Sequence, residues 1–489
     1  MLSAAGAALA VRALPAGAHP QDVDAALRQA LDRAAKSPIG QALRDLAAID
    51  ARNLSPSARL DLTTARSGLA IDAELLRRFP FGRFGRSPYR VTPLAGAWTK
   101  RDEAEIYIDT AAIRNDAAAG VGLPAPLLSR TIAAIESARA TATQPITTAL
   151  DRQLDALREQ LPTAPPPGVG RLPDGAAYYA LLLRRATGDD ADPAAAERRI
   201  EQERRRLSAR AEALFAGLGH RKGSIGARYS ALWRDPRWLY SDDDAGRDRA
   251  VADMNRVLDA ARRRLPAQFA AWPPRSLDVS ARRMSRADEA AGRSGYRELP
   301  AAGRPGAYYV DLKDIARRPS WTLPGVVHHE LLPGHMIQLP IEADAGQHTL
   351  RLDYTPAFPE GWAIYAEQMA AADSAFAGDP LAELGHIHWM LFRTNRALVD
   401  IGIHLHGWSL EQAHARLIEW QGEPGYFAPF APELDRIAAE PASRAAEALV
   451  WLTIADLARG RDRKRFHGIV LADGRKRTDT LRRLVAEAK

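Results

Sequence analysis

Val327-His328-His329-Glu330-Leu331-Leu332-Pro333-Gly334-His335 packs three histidines, one carboxylate and a proline-glycine step into a short apolar run. A His-Glu pair on an apolar helix, with a further His close by, suits a zinc site: two imidazoles fix the metal, and the Glu takes a proton from water. In the commoner His-Glu-x-x-His spacing the two ligands lie four apart and share a helix face. Here the fourth position after His329 is Pro333 and the next His comes two residues later. Six residues at about 100° each would put His335 about 240° round a straight helix. The helix must therefore end or kink. Pro333 breaks the hydrogen-bond ladder and Gly334 permits unusual dihedrals, so the step itself supplies the bend. His328 with His335 is the competing pair, seven apart on one face, but about 10.5 Å of rise makes one shared ion awkward. His329 with His335 is preferred.

The surrounding chain supports a metal site. Nine of the twelve histidines lie between 328 and 414, and imidazole is a favoured zinc ligand. A catalytic zinc takes a third protein ligand and leaves one position open. Glu360 is the candidate, in the first turn of a helix begun by Phe358-Pro359. Glu367, seven residues on, shares its face and is expected behind a ligand imidazole. Further along, Arg396, Asp400 and His404 recur every four residues among apolar neighbours. Buried charges need partners, so Arg396 and Asp400 are expected either as a structural ion pair or as parts of the site. In the functional reading His404 faces the zinc to stabilise an oxyanion, Asp400 supports it, and Arg396 or Arg393 reaches a substrate carboxylate. Tyr308 and Tyr309 sit on a short strand upstream. One of them, Tyr309 in the assignment adopted, is expected to face the cleft.

Composition narrows the class. The chain has 489 residues, 46% hydrophobic and 26% charged, enough to bury a sizeable core. Its length allows about three domains, and helical patterning from end to end allows one large body. Net charge is +7 from 67 basic and 60 acidic residues. The arginines scatter on helices with no aromatic-interleaved basic stripe, so no nucleic-acid partner is expected. With no cysteine, disulfides, thiolate ligands and a cysteine nucleophile are excluded. No segment reaches the ~18 uncharged apolar residues that span a bilayer. Residues 1–19 are apolar and small, like an export signal with an Ala16-Gly17-Ala18 cleavage site, yet they lack a basic start and Arg12 interrupts them. An export signal and a frayed or disordered terminus stay open, as do cytoplasmic and exported locations and the oligomeric state.

From about 20 to 160 the chain reads as successive amphipathic helices, with apolar residues three and four apart over the stretch Asp22 to Ile49 and another helical run capped by Ser55 with Pro56 at its first position. Ala164 to Gly170 (APPPGVG) reads as a connector where two lobes could divide. Helices are expected over Asp192–Leu218, Asp244–Leu265, Thr322–Leu332, Glu360–Ala372, Leu381–His404, Leu410–Trp420, Ala442–Leu457 and Asp479–Ala486. Strand candidates are Leu277–Val279 and Ala307–Leu312. The fold class is mainly α with a small β element beside the metal helix.

These motifs, in this order, resemble the bacterial domain-of-unknown-function 885 family, to which metallopeptidase activity is ascribed. The likeness rests on Arg304 to Val310, on His329-Glu330-Leu331-Leu332-Pro333-Gly334-His335, on Glu360-Gly361-Trp362-Ala363-Ile364-Tyr365-Ala366-Glu367, on Val399 to His404 with Gly407-Trp408-Ser409, and on Phe466-His467 with Leu471 and Gly474. Weaker likeness extends upstream to about residue 20. The resemblance implies a zincin-like, multi-helix peptidase body with a deep cleft, one Zn2+ held by His329, His335 and Glu360, and Glu330 as general base. The substrate implied is a short peptide. One stretch departs: where the family carries Pro-Gly-Gln-Ala and then a Tyr, this chain has Pro441-Ala442-Ser443-Arg444, and Trp451 is the first aromatic to follow. The alternative to an enzyme is therefore a catalytically weak or inactive member that binds peptide or metal.

Overall fold

Buried nearly all round, the helix Pro380–Leu405 organises the packing. Asp379 starts it, its carboxylate accepting from the Leu381 and Ala382 amides at 3.1 and 2.9 Å. A helix apolar on every face cannot meet water and must be wrapped. Here the wrapping comes from Pro193–Gly217, Ser443–Ala458, Leu410–Gln421 and Leu323–Glu330. The computed structural model describes residues 20–82, 87–189, 191–424 and 429–488. The export-signal reading of residues 1–19 lies outside them. The described chain is mainly helical, and none of its helices is long and apolar enough to cross a membrane.

Several expected boundaries shift for local reasons. The helical spacing over Asp22 to Ile49 belongs to two helices, Pro20–Ala34 and Ile39–Ala47, because Ser37-Pro38 interrupts the ladder. Ser55 caps Pro56–Arg78 as expected, accepting from the Ala58 amide at 3.3 Å. The Ala164–Gly170 connector does not stand free. Val169 is buried, its amide donates to His404 Nδ1 at 3.3 Å, and a Cβ on Gly168 would lie 2.2 Å from the Ile403 carbonyl. The main apolar core runs through it, from Leu157 past Val169 to Tyr178. A second apolar cluster joins the first three helices to Leu350 and Tyr354.

One small sheet lies beside the helix Leu323–Glu330: β1 (Val279–Arg283), β2 (Tyr296–Glu298) and β3 (Gly306–Val310), in the order β1-β3-β2. β1 runs parallel to β3, and β2 runs antiparallel to β3. β2, absent from the sequence expectation, is an edge. Its register sets Arg297 opposite Tyr308 and Tyr296 opposite Tyr309. Since side chains alternate, Arg297 and Tyr308 share one face and Tyr296 and Tyr309 the other.

Candidate metal centre

The helix Leu323–Glu330 stops where the proline-glycine step requires it to stop. Leu331 leaves the helical region (φ −112°, ψ −106°), and a new helix, His335–Ala345, begins at the second histidine. Gly334 is needed for closeness: a Cβ there would sit 1.9 Å from the His329 carbonyl oxygen and 2.6 Å from that of His328. Trp362 Nε1 bridges the turn, donating to the Pro333 and Gly334 carbonyls at 3.2 and 3.3 Å. The folded-back chain brings the His329 and His335 rings to 5.0 Å, perpendicular to each other. Glu360 enters from the first turn of Phe358–Ala372, with its oxygens 3.4 Å from His329 Nε2 and 3.5 Å from His335 Nε2. One ligand atom from each of the three lies within 4.8 Å of the others. His328 points elsewhere, its Nδ1 3.1 Å from the Leu332 carbonyl.

Each imidazole is oriented from behind. His329 Nδ1 donates to Glu367 Oε1 at 2.7 Å, which leaves Nε2 for the centre. Arg393 lies 3.6 Å from the same carboxylate oxygen. His335 Nδ1 is 3.3 Å from Gln338 Oε1, and Gln338 Nε2 donates to Glu342, which accepts from Arg475 Nε at 2.8 Å. Because Glu342 can only accept, the Gln338 amide must turn its oxygen to His335, and that imidazole must donate from Nδ1. His335 Nε2 is left buried and without a protein hydrogen-bond partner. Such an atom is costly unless something outside the protein fills its valence.

The electrostatics agree. Burial pulls the His329 imidazole down, but the Glu360 and Glu367 carboxylates outweigh it and carry it up to about 9. Burial lowers His335, while Glu360 pulls the other way. Desolvation would raise Glu360, yet His329 and His335 hold it well below the usual carboxylate range. The cluster demands positive charge at its middle, which a proton or a divalent cation can meet.

Glu330, one residue after His329, forms an ion pair with Arg297 of β2. Its side chain is 15% exposed and that of Arg297 30%, so both keep some access to solvent. Arg297 has no sequence signal, because only the strand pairing brings it to the helix Leu323–Glu330. Gln338 and Glu342 were also missed, although four-residue spacing on an apolar helix could have shown them.

Four expected site residues are placed elsewhere. Tyr309 is on the outward face of the sheet, stacked on Tyr296 at 4.7 Å, with its hydroxyl donating to Glu298 at 3.2 Å. Strand alternation makes Tyr308 the inward residue; burial raises its phenol, and the Glu330 carboxylate adds to that. His404 does not face the candidate centre: Nε2 donates to the Ile437 carbonyl at 2.8 Å, and Nδ1 accepts from the Val169 amide. Asp400 caps Ser443–Ala458, accepting from the amides of Ala442, Arg444 and Ala445 at 2.9 to 3.1 Å. Arg396 pairs with Glu447 at 2.5 Å and Glu433 at 3.5 Å rather than with Asp400. Arg393, on the same helix but outside that stripe, lies beside the centre, through Glu367 and His329. The departing segment near 441–451 packs behind the Glu360 helix, where a Cβ on Gly361 would meet Val450 at 2.4 Å.

Residues 94–485 match a family described as bacterial proteins of unknown function, DUF885. The chain belongs to this family. This DUF885 member shares its fold with the crystal structure of the "putative lipoprotein from Colwellia psychrerythraea", at TM-score 0.75 and 21% identity, over 96% of this chain and 91% of that one. It also matches "a putative lipoprotein of unknown function from Shewanella oneidensis", at TM-score 0.68 and 14% identity, over 94% and 92%. No curated protein matches the DUF885 chain. The family match begins at residue 94 rather than near 20, so the first three helices lie upstream of it.

Proposed function

We propose that this DUF885 member hydrolyses peptide bonds in short peptides at a single zinc ion held by His329, His335 and Glu360, on a zincin-like helical body with the site at the floor of a cleft. The observation carrying the reading is the convergence of three donor atoms within 4.8 Å, with His335 Nε2 buried and making no hydrogen bond. Two imidazoles and one carboxylate form a borderline nitrogen-oxygen set that suits zinc. When bound, zinc supplies Lewis acidity, which polarises a carbonyl and acidifies water.

The chain's own residues do the rest. Glu330 is a carboxylate adjacent in sequence to a ligand and keeps some access to solvent, so it serves as the base that takes a proton and returns it to the leaving amine. Glu367 and the Gln338–Glu342 pair hold the two imidazoles as Nδ1 donors. Arg393 offsets the Glu367 charge.

A second reading is a peptide or metal binder without turnover. The Arg297–Glu330 ion pair and the departure at Pro441–Trp451 favour it. Metal analysis combined with a mixed peptide library separates the two: stoichiometric zinc with cleavage supports the hydrolase, and zinc without cleavage supports the binder. Glu330→Gln is expected to keep zinc and abolish hydrolysis; unchanged turnover removes Glu330 as base.

A further inference from the structure

We infer that Arg297 is the receptor for a substrate carboxylate, so that the site takes peptides whose free C-terminus lies close to the scissile bond. The inference rests on the hydrolytic reading for its location and adds the substrate class. Arg297 projects from edge strand β2 on the face shared with Tyr308, and its guanidinium already binds a carboxylate, that of Glu330. That bond uses one terminal nitrogen, and the side chain is 30% exposed. A planar guanidinium presents paired donors that match a carboxylate fork. The position therefore accepts a carboxylate and has donors free to hold a second.

Charge points the same way. The groups in contact around the centre are three carboxylates, Glu330, Glu360 and Glu367, and two guanidiniums, Arg297 and Arg393. A bound dication leaves one positive charge in excess. A monoanionic ligand cancels it, whereas a neutral peptide amide does not. Arg393 is less suited to the task, being 14% exposed and turned towards Glu367 and His329. Arg297 is thus the cation that an incoming anion meets.

The test compares N-acetyl dipeptides of varied sequence as free acids and as C-terminal amides. Binding is measured by calorimetry on metal-free and zinc-loaded protein, for the wild type, Arg297→Gln and Arg297→Lys. The wild type is expected to bind acids about tenfold more tightly than amides, the value of one charge-assisted contact. Arg297→Gln should lose that preference without weakening the amides, and Arg297→Lys should restore part of it. Equal binding of acid and amide by the wild type, no binding of either, or equal weakening of both by Arg297→Gln overturns the inference. Hydrolysis followed in parallel separates the two readings. Acid preference without cleavage removes the hydrolase and keeps the receptor; equal cleavage of acids and amides removes the receptor and keeps the hydrolase.

Discussion

The candidate metal centre and the stripe Arg396–Asp400–His404 are both buried polar clusters on apolar helices, yet they are finished differently. In the stripe the hydrogen-bonding groups have protein partners, apart from Arg396 Nε. Asp400 takes three backbone amides, His404 uses both ring nitrogens, and Arg396 lies between Glu433 and Glu447, with Arg444 completing the ion cluster. In the centre, the Nδ1 atoms of His329 and His335 are paired and the inner atoms converge on each other, with His335 Nε2 left without a hydrogen bond there and Glu367 Oε2 and Arg393 Nε left without one behind. A polar cluster closed on itself holds a fold together. One with valence left over, aimed at a common point, is built to receive something.

The largest way to break the contrast is at a ligand. His335→Ala is expected to abolish stoichiometric zinc binding, read by elemental analysis after dialysis; retained zinc would dissolve the distinction between the two clusters. Next is the support behind that ligand. Gln338→Leu removes the acceptor that fixes the His335 tautomer and should weaken zinc about 10–100-fold, measured by chelator competition. Asp400→Ala should do the reverse. It leaves three amides without their acceptor and costs about 2–4 kcal/mol of stability in urea unfolding, with zinc affinity unchanged.

The smallest effect is one of pH. Burial holds His388 down at about 3 and His386, His404 and His467 at about 4, against about 6.5 in an unfolded chain. Between these values the unfolded chain binds protons that the folded one refuses, so stability falls as pH drops from about 6.5 towards 4. His404→Gln should flatten that slope by up to one proton, read from unfolding at pH 7.5 and pH 5. An unchanged slope would mean that His404 is not the buried neutral group its contacts require.

Much of the site was legible because its logic is local. Pro333-Gly334 dictates a break, and a break is what lets two histidines six residues apart meet. Glu360 and Glu367 are seven apart on one helix, which puts one in the centre and the other behind it. The Tyr308–Tyr309 choice was also within reach of strand alternation, but it needed the pairing with β2 to say which face looks inward. Arg297 was not legible at all, since nothing in the chain over the 33 positions that separate it from Glu330 specifies that they touch. The stripe misled because helical spacing shows that Arg396, Asp400 and His404 share a face and is silent on what packs against that face.

The amino-acid sequence by itself determined the helices, the bend and the candidate donor atoms, because those follow from backbone sterics and periodicity within a few residues. Only the tertiary structure decided which polar groups would be satisfied by distant partners and which would be left open. Satisfaction is a property of the neighbours, and the neighbours here come from 33 to more than 200 residues away.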